Sequence, residues 1–194
     1  MSQAEPTSPL AAAKGAVILI GMMGSGKTTV GTRLATALGC PFTDLDALIE
    51  IQDDRNRSVG DIIEEDGLLR FREKEHEALC SWFDQGTLGV LATGGGVIVT
   101  PQNRALLRAT LHPVVWLQAD LESLTRRTAG AQQDQRPLLH RASPEERFDK
   151  LKTILNERHS WYLETSSSLV DCQNKSPDEI AREIADQSLR GGKP

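Results

Sequence analysis

The chain has 194 residues, 39% hydrophobic and 25% charged, with a formal net charge of −5. That is enough for one compact domain with a real core, and the acidic balance excludes a nucleic-acid binder that works through a broad basic surface. Three scattered cysteines, Cys40, Cys80 and Cys172, lack any CxxC spacing and read as idle thiols of a reduced cytoplasmic protein, and no apolar run approaches membrane-spanning length.

In chain order, residues 1–13 are small, polar and Pro-containing, without the features of a signal peptide, and are expected to be a disordered tail. Residues 16–20 (AVILI) read as a buried parallel strand, and 29–39 as a helix stopped by Gly39. Residues 41–46 (PFTDLD) read as a second strand ending in acids, with a helix beginning at 47–52. A short helix with a Gly stop is expected over 58–67, and a longer charged amphipathic helix over 68–83. Residues 89–96 (GVLATGGG) form a third strand that runs into glycines. A Pro-led helix over 101–111, a strand over 113–119 and a helix over 121–128 follow. Residues 129–142 break all periodicity and are polar. A capping box, Ser143 with Glu146, opens a helix over 143–164. A short strand over 167–172 and a helix over 176–187 close the domain; 191–194 are a C-terminal tail. Strands alternating with helices predict an α/β fold with a parallel sheet.

Gly21 to Thr28 read GMMGSGKT, a full match to the phosphate-binding loop G-x-x-x-x-G-K-[ST], set between a strand and a helix. In such a loop the backbone of Gly24, Ser25 and Gly26 turns around phosphate oxygens. Lys27 reaches toward β- and γ-phosphates, and the Thr28 hydroxyl, followed by Thr29, can ligate Mg²⁺. Asp44 and Asp46, two apart on a predicted strand end, would point the same way into the crevice at the sheet's carboxyl edge. Metal or substrate binding is one role for them; capping the next helix is the other. Locally, Arg72 with Glu75, and Arg158 with Glu157 or Glu164, read as ordinary helix-surface ion pairs. TGGG, Thr93 to Gly96, suits close approach of backbone to a ligand, with a wide turn as the plainer alternative.

The ordered set GMMGSGKT, Asp44-x-Asp46, Phe71-Arg72 with Glu75, TGGG, RPLL at Arg136 to Leu139 and ER-x-x-WY at Arg158 resembles the shikimate kinases. The resemblance spans about residues 14–187. It implies a P-loop fold of the nucleoside monophosphate kinase type: a five-stranded parallel sheet flanked by helices, in one kinase domain over 14–190 with a mobile lid at about 129–142. It implies ATP-dependent phosphorylation of the 3-hydroxyl of shikimate, with Mg²⁺. Lys27, Asp46 and Arg136 match the catalytic positions, and Thr28 and Asp44 the metal positions. Asp46, Arg72, Gly94, Gly95, Gly96 and Arg158 match the shikimate site. Arg127 and the segment near Lys175 match the adenine-side wall. Family members usually carry Gly-Glu where this chain has Gly67-Leu68, and often Pro where it has Ser160. A gluconate-type kinase on the same fold, and a non-catalytic nucleotide-binding module, are the competing readings. A monomer is expected, without nucleic-acid or membrane partners.

Overall fold

Ala16–Ile20 forms β1, and every one of its residues is fully buried. A run without polar alternation suits a strand covered on both faces. β2 (Phe42–Asp44), β3 (Gly89–Ala92), β4 (Val114–Gln118) and β5 (Ser168–Asp171) complete a five-stranded sheet in the order β2-β3-β1-β4-β5. All pairings are parallel; Ile18 faces Leu91 on one side and Val114 on the other. The computed structural model describes residues 15–86, 88–129 and 142–190. Both tails, Arg136 and most of the expected lid lie outside these.

The helices are α1 (Lys27–Leu38), α2 (Leu45–Gln52), α3 (Val59–Asp84), α4 (Pro101–Ala109), α5 (Leu121–Arg127), α6 (Pro144–Thr165) and α7 (Pro177–Arg190), with a 3-10 turn at Val97–Val99. α1 buries Val30, Leu34, Ala35 and Leu38, the i, i+4, i+5, i+8 stripe of a core-facing helix. It ends where expected: Gly39 takes a left-handed conformation, and its N–H returns to the Ala35 and Thr36 carbonyls. The capping box of α6 also forms, with Glu146 N–H on Ser143 Oγ at 3.2 Å and Ser143 N–H on Glu146 Oε2 at 2.8 Å.

One boundary differs in an instructive way. The second strand stops at Asp44, and Asp46 belongs to α2. The expected pairing of Asp44 and Asp46 on one face of an extended strand is therefore wrong. The Asp44 carboxylate accepts the Asp46 N–H and starts the helix, so local capping overrides strand continuation. The short and long helices predicted on either side of Gly67 are both present within the span given as α3: Gly67 (φ 86°, ψ 163°) leaves the helical region and separates them, as its stop signal predicts. That backbone region is essentially glycine-only.

Trp116 on β4 stacks on Tyr162 of α6, with centroids 5.3 Å apart and an interplanar angle of 11°. Both rings are buried. This contact seats α6 on the sheet and fixes where its side chains meet the loops at the strand ends.

Candidate active site

The carboxyl ends of three neighbouring strands, β2, β3 and β1, open onto one cleft of about 770 Å³. Ligands of open parallel sheets bind in such crevices. β1 delivers the GMMGSGKT loop, β2 delivers Asp44 and Asp46, and β3 delivers TGGG.

Gly24 and Gly26 have φ of 80° and 95°, and this left-handed backbone curls the loop onto the start of α1. No side chain caps that helix, and an uncapped helix N-terminus is a site for an anion. Lys27 is buried, and its Nζ donates to the Gly21 and Met22 carbonyls at 2.9 Å each. Ser25 is buried with no hydrogen-bond partner for Oγ among the described residues. Thr28 Oγ1 donates to Asp44 Oδ2 at 2.8 Å, while Asp44 Oδ1 accepts the Asp46 N–H at 3.0 Å. Asp44 thus caps α2 and also ties β2 to the phosphate loop; each oxygen serves one role. Thr29 and Arg127 also line the cleft. Lys175 does not; its Nζ pairs with Glu183 at 2.7 Å. Burial pushes the Cys172 thiol up to about 11, with Arg127 and Lys175 opposing the rise.

The other half of the cleft is built by two helices and the glycine loop. Arg72 Nη1 donates to Glu75 Oε2 at 2.7 Å, and Glu75 is fully buried. Arg158 Nη1 donates to the Gly95 carbonyl at 3.1 Å, and the Tyr162 hydroxyl donates to the same oxygen at 2.8 Å. The surface ion pairs that local sequence suggests are therefore corrected. Glu75 is a core acid, and Glu164 takes Arg104 instead of Arg158. Both arginines turn inward because i, i+3 and i, i+4 neighbours share one buried helix face. Burial lowers the pKa of Arg158.

The glycines make this packing possible. A Cβ on Gly96 would run into the Arg72 guanidinium. On Gly94 it would lie 2.8 Å from Glu75 Oε1 and 2.9 Å from Asp46 Oδ1, and on Gly95 2.8 Å from the Met23 nitrogen. Those two carboxylate oxygens are buried and without a hydrogen-bond partner among the described residues. Burial lifts Asp46 to about 6, with Asp44 adding to the rise and Lys27 and Arg72 opposing it. Burial lifts Glu75 to about 7 against the pull of Arg72. Val59, Ile63, Leu68 and Phe71 give the same cleft an apolar lining. Leu68 is 42% exposed, and Ser160 lies exposed on α6.

A phosphate loop, a Thr–Asp pair beside it and a charged pocket one strand away define a P-loop kinase for a small acceptor. Residues 23–188 match the family model "Shikimate kinase". A shikimate kinase of Enterococcus faecalis is 40% identical over 172 residues, covering 88% of this chain and 96% of that protein. One from Symbiobacterium thermophilum is 35% identical over 176 residues, covering 91% and 97%. The solved shikimate kinase of Acinetobacter baumannii in complex with shikimate aligns at TM-score 0.83 and 32% identity, covering 93% of this chain and 96% of that one. The chain belongs to the shikimate kinase family: it is a kinase that phosphorylates shikimate with ATP, a step in aromatic amino acid biosynthesis.

Sequence reasoning missed what holds these groups. Tyr162 was legible as the residue one turn after Arg158, yet nothing local says that its hydroxyl reaches Gly95. Glu75 was visible only as an i+3 partner, not as a buried acid facing Asp46.

Proposed function

We propose that the acceptor is the 3-hydroxyl of shikimate and that the products are shikimate 3-phosphate and ADP, made in a single domain of residues 14–190. The observation that carries this reading is the convergence of Arg72, Arg158 and Asp46 on the Gly94–Gly96 loop, one strand away from Lys27.

Arg72 and Arg158 hold the substrate carboxylate, because guanidinium forks donate in parallel pairs. Asp46 accepts from a ring hydroxyl and aims it at the phosphate loop. The backbone from Gly24 to Gly26, the N-terminus of α1 and Lys27 hold the ATP phosphates, with Lys27 exchanging the Gly21 and Met22 carbonyls for phosphate oxygens. Arg127 flanks the nucleotide; Lys175 and Arg136 are assigned to the nucleotide side and to lid closure from the family motifs alone. Phosphoryl transfer runs through a loose transition state, so alignment and charge neutralisation outweigh removal of the hydroxyl proton.

The Thr28 hydroxyl and the Asp44 carboxylate, 2.8 Å apart, fit Mg²⁺ as two hard oxygen donors. Among the described residues no cluster of three or more His, Cys, Asp or Glu forms a complete protein cage. That suits an ion which completes its shell with water and phosphate, where it would neutralise charge on the β- and γ-oxygens.

The deciding measurement is coupled ADP formation with a panel of acceptors. Shikimate-dependent turnover at C3, with gluconate inert, is expected; ADP release with gluconate alone would sink the assignment. We take the protein to work as a monomer in the cytoplasm, without nucleic-acid or membrane partners. Among the described residues no helix is long and apolar enough to span a membrane. Light scattering at working concentration tests the monomer.

A further inference from the structure

Two adjacent residues outside the cleft reach the three elements that carry the proposed shikimate-binding residues. Asn103, on α4, is fully buried. Its Nδ2 donates to the Val97 carbonyl at 3.1 Å, and its Oδ1 lies 2.7 Å from His76 Nδ1. An amide whose nitrogen is already donating must accept from His76, so His76 carries its proton on Nδ1. His76 sits on α3, one turn beyond Arg72.

Arg104 is the next residue. Its Nη1 donates to the Ile98 carbonyl at 2.6 Å and the Val99 carbonyl at 3.1 Å. Its Nε lies 3.1 Å from Glu164 Oε1, and its guanidinium sits 4.7 Å over the Trp161 ring. Trp161 and Glu164 are on α6, just beyond Arg158. The turn these carbonyls belong to continues the glycine loop, since Val97 N–H bonds to Gly94 and Val99 N–H to Gly96.

The two arginines assigned to the carboxylate thus stand on different helices, and each helix is tied to the same turn by one of two neighbouring side chains. We propose that Arg104, with Asn103 beside it, is a positioning residue for shikimate binding: it sets the spacing of Arg72 and Arg158 by pinning the turn after the glycine loop to α6, as Asn103 pins it to α3. Neither lines the cleft, so both act through the two arginines. A carboxylate held by two guanidinium forks is sensitive to sub-ångström changes in their spacing, because the bonds are directional. The chemistry of Arg104 suits this role, since one planar fork donates to two carbonyls, meets a carboxylate and stacks on an indole.

This inference rests on the shikimate reading above. The two are separated by comparing shikimate with its carboxamide, which keeps the ring and hydroxyls but lacks the charge. Wild-type turnover of shikimate tests the underlying reading. Arg104→Ala, Arg104→Lys and Glu164→Gln, each normalised to wild type on both compounds, test the positioning role. Arg104→Ala should raise the shikimate KM about tenfold, with the ATP KM and the carboxamide affinity changed by less than about twofold. Arg104→Lys should fall between. Glu164 is partly exposed, so Glu164→Gln should fold and show the same pattern at about threefold; it decides the matter if Arg104→Ala does not fold. Equal losses on shikimate and carboxamide mean a merely structural role and overturn the proposal, as does an unchanged shikimate KM in the foldable variants.

Discussion

Glu75 Oε2 lies 2.7 Å from Arg72 Nη1, while Glu75 Oε1 is buried against Gly94 with no hydrogen-bond partner among the described residues. One oxygen is thus satisfied and the other is not, which is costly for an ionised group. Burial accordingly lifts Glu75 to about 7. The folded state binds this proton more tightly than the unfolded chain, whose Glu titrates near 4.3. Glu75 therefore favours the fold most below that unfolded value, and the contribution is lost as pH rises towards about 7.

Glu75→Gln cannot ionise. In ligand-free protein, its stability relative to wild type should improve between pH 5 and pH 8 by on the order of 1–3 kcal/mol. Urea denaturation at the two pH values measures it. A gap that stays constant would mean that Glu75 remains ionised throughout.

Asp46 is raised to about 6. As a carboxylate it accepts from a hydroxyl; once protonated it loses that charge-assisted bond. Shikimate affinity of the nucleotide-free enzyme should fall as pH drops through about 6, and Asp46→Asn should flatten the profile. Asp46→Asn should keep measurable turnover and Asp46→Ala less. Two variants equally dead, with normal shikimate binding in each, would instead make Asp46 an essential base.

Gly96→Ala would press a methyl group into the Arg72 guanidinium. Arg72 must then move from its bond to Glu75. Shikimate KM should rise at least about tenfold, the order of a lost charge-assisted bond, while ATP binding without shikimate stays near normal. Calorimetry with each ligand separately checks this; an equal loss for both would point to general disruption.

Gly67→Ala isolates backbone strain. A Cβ there meets nothing within 4 Å beyond its chain neighbours, so no tertiary clash contributes. The φ of 86° and ψ of 163° nevertheless exclude other residues, at a cost of about 1–3 kcal/mol. Denaturant titration should show that loss; wild-type stability would mean that α3 tolerates another geometry at the kink.

Lys27→Ala should nearly abolish turnover at saturating ATP. Its ammonium is held by the Gly21 and Met22 carbonyls beside the phosphate loop, where charge is needed in the transition state. Near-normal kcat would remove Lys27 from the transfer step.

What the chain determined by itself was mostly local. A short, β-branched apolar run such as AVILI, bounded by a glycine, reads as a buried strand, and Gly39 and Ser143 mark helix ends through their own backbone and side-chain chemistry. The phosphate loop carries its function in eight consecutive residues, so it was legible before any fold. The ordered family motifs pointed to the residues proposed for the substrate. They did not explain them: Arg72 and Arg158 are 86 positions apart and look like surface ion pairs in isolation. Only the tertiary structure decided that Arg158 bonds to Gly95, that Glu75 is buried under Gly94, and that Asp44 divides its two oxygens between a helix cap and Thr28. The reason is physical. A turn or a cap is settled by neighbours within a few residues, whereas desolvation and long-range hydrogen bonds exist only after β1, β2 and β3 align their carboxyl ends and Trp116 seats α6 against them.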